Sequence, residues 1–236
     1  MDEEEAATAG DARILSWRRW PIAVRRLIGL FALFSGIALL MHIIGGVSLS
    51  LALLGTTTIL VGGVALALRG QDAESRRWTL RTAGVGIAVG LVATVTYDVT
   101  KASLSVLDPS PYNPFEVLRV FGQLLLGTTS NGTEVFVAGA AFHFLNGTAF
   151  AVAYCFLFAR DGQSSLRRAL LTGIGWGVFL EIFQLTLYPG WLDIRFYQEF
   201  ATISALSHVV YGAVLGLLAR RGLRRFITVP PGQPAN

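Results

Sequence analysis

Six stretches of this 236-residue chain are apolar over the length that a membrane-crossing helix needs, about 20 residues. They fall at 25–44, 48–68, 82–104, 134–159, 167–188 and 200–219. In hydrocarbon no water satisfies a backbone N–H or C=O, so such segments must be helices that bond within themselves. Composition agrees. Only 14% of residues are charged, against about 25% in a soluble domain, and the mean hydropathy is +0.57. The expected class is all-α: a polytopic membrane protein of six transmembrane helices.

Arginine placement orients those helices. Arg13, Arg18, Arg19, Arg25 and Arg26 precede or open the first span. Arg69, Arg76, Arg77 and Arg81 lie between the second and third, Arg160, Arg167 and Arg168 between the fourth and fifth, and Arg220, Arg221, Arg224 and Arg225 follow the sixth. All four regions fall on one side of a six-span chain, and the positive-inside rule makes that side cytoplasmic, with both termini inside. Trp17, Trp20 and Trp78 fit an inner aromatic belt, and Tyr188 and Trp191 an outer one. The net charge of +4 is not a nucleic-acid footprint, because the arginines flank spans and form no continuous basic face. The expected partner is the lipid bilayer; protein partners and oligomeric state leave no mark in the sequence.

The chain divides into a charged cytoplasmic segment (1–24), an N-terminal transmembrane hairpin with its loop (25–81), a four-helix transmembrane unit (82–221) and a cytoplasmic tail (222–236). The opening MDEEEAATAGDAR is acidic and polar, unlike the basic start of a signal peptide. Cys155, the one cysteine, sits in an apolar run and reads as packing. Between the third and fourth spans, Pro109, Pro111 and Pro114 lead into an amphipathic stretch within 113–127. It is expected to lie on the outer interface or to fold back over the bundle. Asn131-Gly-Thr and Asn146-Gly-Thr match glycosylation sequons, the second in mid-membrane.

Inside the spans, the few ionisable groups repeat. GLVATVTYD (90–98) and GIGWGVFLE (173–181) each end on a carboxylate, Asp98 and Glu181. The helices that follow carry HFLNG (143–147) and HVVYG (208–212), with His143 and His208. Each hairpin thus has a carboxylate on its rising helix and a histidine on its falling one, which suggests a parallel duplication. At 1.5 Å per residue, all four groups lie roughly 9–14 Å below the outer boundary. Each has a polar neighbour three residues on, Lys101, Asn146, Gln184 and Tyr211 respectively, on the same helix face. His42, near the outer end of the first span, reads as an interfacial histidine, and Trp176 as a core or lipid-facing anchor.

Ionisable groups in hydrocarbon are costly and mark functional sites by default. The leading expectation is a site of Asp98, His143, Glu181 and His208, flanked by Lys101, Asn146, Gln184 and Tyr211, that binds or passes a proton or small polar solute. Lys101 is either a counter-ion for that site or a local partner of Asp98. Three alternatives stand beside it: interhelical hydrogen bonds in a structural or accessory subunit, a metal ion or haem held by the two histidines and two carboxylates, and a membrane hydrolase. The last lacks any nucleophile–base motif, so an enzyme is the weaker expectation.

On GLVATVTYD, HFLNGTAFAVAY (143–154) and SHVVYGAVLGLL (207–218), residues from about 84 to 221 resemble the YagU-like family of small bacterial inner-membrane proteins. The resemblance implies a four-helix unit in a bacterial inner membrane and carries no catalytic residues; residues 25–68 fall outside it. Eighteen arginines against a single lysine point the same way, toward a GC-rich bacterial genome.

Overall fold

The computed structural model describes residues 22–129, 131–159, 165–187 and 196–225. These form eight helices: α1 (Ile22–Phe31), α2 (Phe34–Gly45), α3 (Leu49–Arg69), α4 (Ala73–Leu107), α5 (Glu116–Leu126), α6 (Thr133–Leu157), α7 (Leu166–Leu187) and α8 (Tyr197–Arg225). No strand occurs among the described residues. Helices α3, α4, α6, α7 and α8 are each long and apolar enough to cross a membrane, and α1 with α2 adds a sixth if the bent pair is one span. This is the architecture of a multi-pass membrane protein. Trp17, Trp20, Tyr188 and Trp191, several of the arginines and the segment after 225 lie outside the described residues.

Two elements differ from the sequence expectation. The first span is not one helix: α1 and α2 meet at 54°. The ladder tightens there, with Leu33 N–H donating to the carbonyl of Leu30 at 3.0 Å, an i→i−3 bond that interrupts α-helical geometry. Just beyond the bend, Ser35 Oγ donates to Asn146 Oδ1 on α6 at 2.8 Å, tying α2 to that helix. At the other end of the chain, α8 continues to Arg225, past the boundary expected at 221. Leu223, Arg224 and Arg225 favour helix, and Gly222 lets α8 pack on Val85 of α4.

Helix α4 is the centre of the unit and packs against both α6 and α8, while α7 packs against α8. Val85 and Gly86 of α4 meet Gly222 of α8 and Val152 of α6, and Gly216 of α8 meets Ala169 of α7. The starts of α4 and α7 and the ends of α6 and α8, with their arginines, therefore share one end of the bundle. Asp72 caps α4 there by accepting from Ser75 N–H at 2.8 Å, which holds its carboxyl below the usual range. Helix α3 keeps Leu51, Leu54, Ile59, Val61 and Leu66 exposed, the face expected of a helix set against lipid tails.

The amphipathic segment packs as a cover on α6. Leu118, Phe121 and Gly122 are buried, and Gly122 and Gly139 bring the backbones of α5 and α6 into direct contact. Phe121 then joins Leu39, Leu49, Phe142 and Phe200 in a cluster linking α2, α3, α6 and α8.

Small residues set the α7–α8 crossing. A Cβ on Gly173 would collide with the carbonyl oxygen of Gly212 and lie 2.8 Å from Gly216 Cα. Those obstacles are backbone, so no rotamer change relieves them. Gly175, two residues on, has nothing within 4 Å. Gly173→Ala is expected to destabilise by about 1–3 kcal/mol, the usual cost of overpacking, and Gly175→Ala to be close to neutral. Thermal unfolding in detergent measures both, and equal midpoints would contradict this account of the crossing.

Candidate functional site

Each helical hairpin pairs its own carboxylate with its own histidine. On α4 and α6, His143 Nε2 lies 2.9 Å from Asp98 Oδ1. On α7 and α8, His208 Nδ1 lies 2.7 Å from Glu181 Oε2. The first is a hydrogen bond of the length expected beside a carboxylate, and the second is a close contact in which His208 Nδ1 also bonds Ser204. The second pair is drier, with the Glu181 side chain 6% exposed against 19% for Asp98. Partnering of this kind is what makes such groups tolerable away from water.

The two pairs flank one residue that the sequence reading did not single out, Tyr97. Its ring centroid is 5.9 Å from that of His143 and 4.8 Å from that of His208. A second such residue, Ser204, organises the α7–α8 side. Its hydroxyl donates to Glu181 Oε2 at 2.9 Å, accepts from Gln184 Nε2 at 2.8 Å and lies 3.3 Å from Tyr97 OH. A serine has one proton and two lone pairs. Because its proton goes to Glu181, Tyr97 is the donor to Ser204 and the hydroxyl is fully used. Both residues had a signal: Tyr97 adjoins Asp98, and Ser204 lies one turn before His208 on the same face. Each precedes its ionisable residue, unlike Lys101, Asn146, Gln184 and Tyr211, which follow theirs by three.

The ring nitrogens divide their work. His208 Nδ1 faces only acceptors, Glu181 Oε2 and the Ser204 carbonyl at 3.1 Å with the Ser204 hydroxyl at 3.4 Å, so it carries the proton. Its Nε2 and His143 Nδ1 bond no described residue. Both imidazoles line one cavity of ≈ 90 Å³ together with Tyr97 and Lys101, which is space for several waters. Val117 and Phe121 of α5 close one wall of it.

The flanking polar residues separate into different roles. Gln184 serves Ser204. Asn146 and Tyr211 tie helices: Asn146 accepts from Ser35, and Tyr211 OH donates to the Gly147 carbonyl at 2.8 Å. Lys101 does not pair with Asp98. Asp98 is turned to His143 on α6, while Lys101 Nζ lies over the rings of Tyr97 and Phe200, at 5.6 Å and 5.9 Å. His42 stands apart, its Nδ1 2.8 Å from the Val47 carbonyl and its side chain outside the cavity. Trp176 is buried in the core, near Tyr154 of α6 and Phe158 just past that helix.

The arrangement limits the chemistry. Ser204 and Glu181 meet the same nitrogen of His208, whereas a hydrolytic triad needs nucleophile and orienting carboxylate on opposite ring nitrogens. Among the described residues, no three His, Cys, Asp or Glu side chains come together as a metal site requires. The four ionisable groups stand as two separate pairs. No protein family, curated protein or solved structure matches this chain.

If each carboxylate belongs to its own histidine, energetic coupling follows the pairs. Double-mutant cycles should give about 1 kcal/mol or more for Asp98→Asn with His143→Gln and for Glu181→Gln with His208→Gln. The crossed combinations should fall below about 0.5 kcal/mol. Unfolding in detergent reads this out, and crossed couplings as large as the paired ones would refute the assignment.

Proposed function

We propose that this protein is a bacterial inner-membrane protein of six spans, with both termini cytoplasmic, whose two carboxylate–histidine pairs form an intramembrane site that binds or passes a proton or a small polar solute. One observation carries the reading. Two imidazoles, each oriented by its own carboxylate, leave one nitrogen apiece beside a shared cavity with Tyr97 between them. Orientation by a carboxylate is how a histidine is readied to take and give protons. On the α7–α8 side the groups form a continuous chain, Glu181–Ser204–Tyr97.

The glycine contacts support a duplicated origin for the hairpins. Gly90 of α4 meets Thr148 and Ala151 of α6, five and eight residues after His143, and Gly173 of α7 meets Gly212 and Gly216 of α8, four and eight after His208. The YagU-like resemblance of residues 84–221 favours the inner-membrane setting, as does the gathering of the described arginines other than Arg119 at one end.

A structural or accessory role is the second reading, favoured by the Ser35–Asn146 and Tyr211–Gly147 bonds that join helices beside the cavity. Flux separates the two. Protein reconstituted in vesicles with an entrapped pH dye is expected to pass protons under an imposed potential, at least tenfold faster than His143→Ala or His208→Ala protein of unchanged unfolding midpoint. Variants that conduct like the parent, or that simply fail to accumulate, would reduce the polar groups to interhelical glue.

A further inference from the structure

Lys101 is the charge that the paired site leaves over. It is the single lysine of the chain and only 3% exposed. An ammonium has three protons to donate, yet among the described residues this one meets the faces of Tyr97 and Phe200 and makes no hydrogen bond or ion pair. Two ring faces compensate a buried cation in part; a buried charge is ordinarily also paired or hydrogen-bonded. Asp98 and Glu181 act on it through space, but each is already engaged by an imidazole. Lys101 lines the cavity, so an incoming group can reach what the protein does not supply.

The rest of the cavity says what kind of group that is. Its wall is largely apolar and aromatic, with Leu39, Phe121, Phe150, Leu180, Phe183 and Phe200. Thr94 Oγ1, also on the lining, is buried with no hydrogen-bond partner among the described residues. It lies two turns before Lys101 on the same face of α4, about 10 Å along the axis. A cation would be repelled by the ammonium. A multiply charged anion would keep excess charge beside Asp98 and Glu181, with no arginine on the lining to meet it. An inorganic anion would leave the aromatic wall without contact.

We propose that the cavity binds a small amphiphilic monocarboxylate, its carboxylate on Lys101 Nζ and its apolar body along the phenylalanine wall toward Thr94. The inference rests on the reading of the cavity as a ligand site and names the class of ligand. Because there is one lysine, full-length protein labelled with ¹⁵N-lysine in non-ionic micelles gives a single side-chain amine signal. Benzoate is expected to shift that signal saturably, while chloride at equal ionic strength does not. Equilibrium dialysis of radiolabelled benzoate reads the variants, which carry no lysine signal: Lys101→Gln should weaken binding roughly tenfold or more, a difference of 1.4 kcal/mol, and Lys101→Arg should largely retain it. A signal unmoved by benzoate, or moved equally by chloride, would overturn the proposal, and this holds even if Lys101→Gln fails to fold. If benzoate has no effect while proton flux still depends on His143 and His208, the monocarboxylate is wrong and the proton site stands. Loss of both removes the site itself.

Discussion

A carboxylate held among apolar helices must find a proton donor within hydrogen-bond reach, and here each finds an imidazole on the next transmembrane helix of its own hairpin. Asp98 reaches His143 at 2.9 Å and Glu181 reaches His208 at 2.7 Å. Those distances require the backbones to approach closely, and the glycines allow it. Gly90 seats α4 on α6 near Thr148 and Ala151, and Gly173 and Gly177 seat α7 on α8 near Gly212, Gly216 and the His208 carbonyl. Side chains at those positions would push the helices apart and strand a buried and a partly buried carboxylate, at a cost that lipid cannot offset. The packing of the four-helix unit and the geometry of its polar groups are thus one constraint seen from two sides.

The pairs are held from outside as well. Helix α5 lies on α6 through Gly122 and Gly139, and its Val117 and Phe121 form part of the cavity wall. Helix α2 is tied to the same region by Ser35 and Asn146. The bend between α1 and α2 follows from two attachments: α1 packs Gly29 against Phe156 and Leu157 near the arginine-rich end, and α2 packs Gly36 against Phe150 farther along α6. With Tyr97 and Ser204 joining the two pairs, the cavity is bounded by groups that accept or donate protons and by rings that exclude bulk water. That combination suits a site where proton position and a small ligand are linked.

Much of the architecture was readable from apolar run length, since a bilayer-spanning segment has few alternatives to helix. The four ionisable residues stood out for the same reason, as rare groups against an apolar background. Their pairing scheme was less accessible. Asp98 and Lys101 share a helix face by spacing, but a few tens of degrees of rotation send one to α6 and the other to α8, and only the packed neighbours decide which. The break at Leu33 was hidden because no proline or charge marks it and the distortion depends on contacts made with α6. Tyr97 and Ser204 escape that reading because each precedes an ionisable residue instead of following it by three, although burial makes a neutral hydroxyl as demanding of partners as a charge is of counter-charge.

The most direct test of the account is histidine NMR on uniformly ¹⁵N-histidine-labelled protein, wild type beside Asp98→Asn and Glu181→Gln. Three histidines give a tractable spectrum. The account requires His143 to be bonded through Nε2 and His208 through Nδ1, with Asp98→Asn moving the His143 signals alone and Glu181→Gln moving those of His208. Signals that respond to both substitutions alike, or to neither, would contradict the paired site.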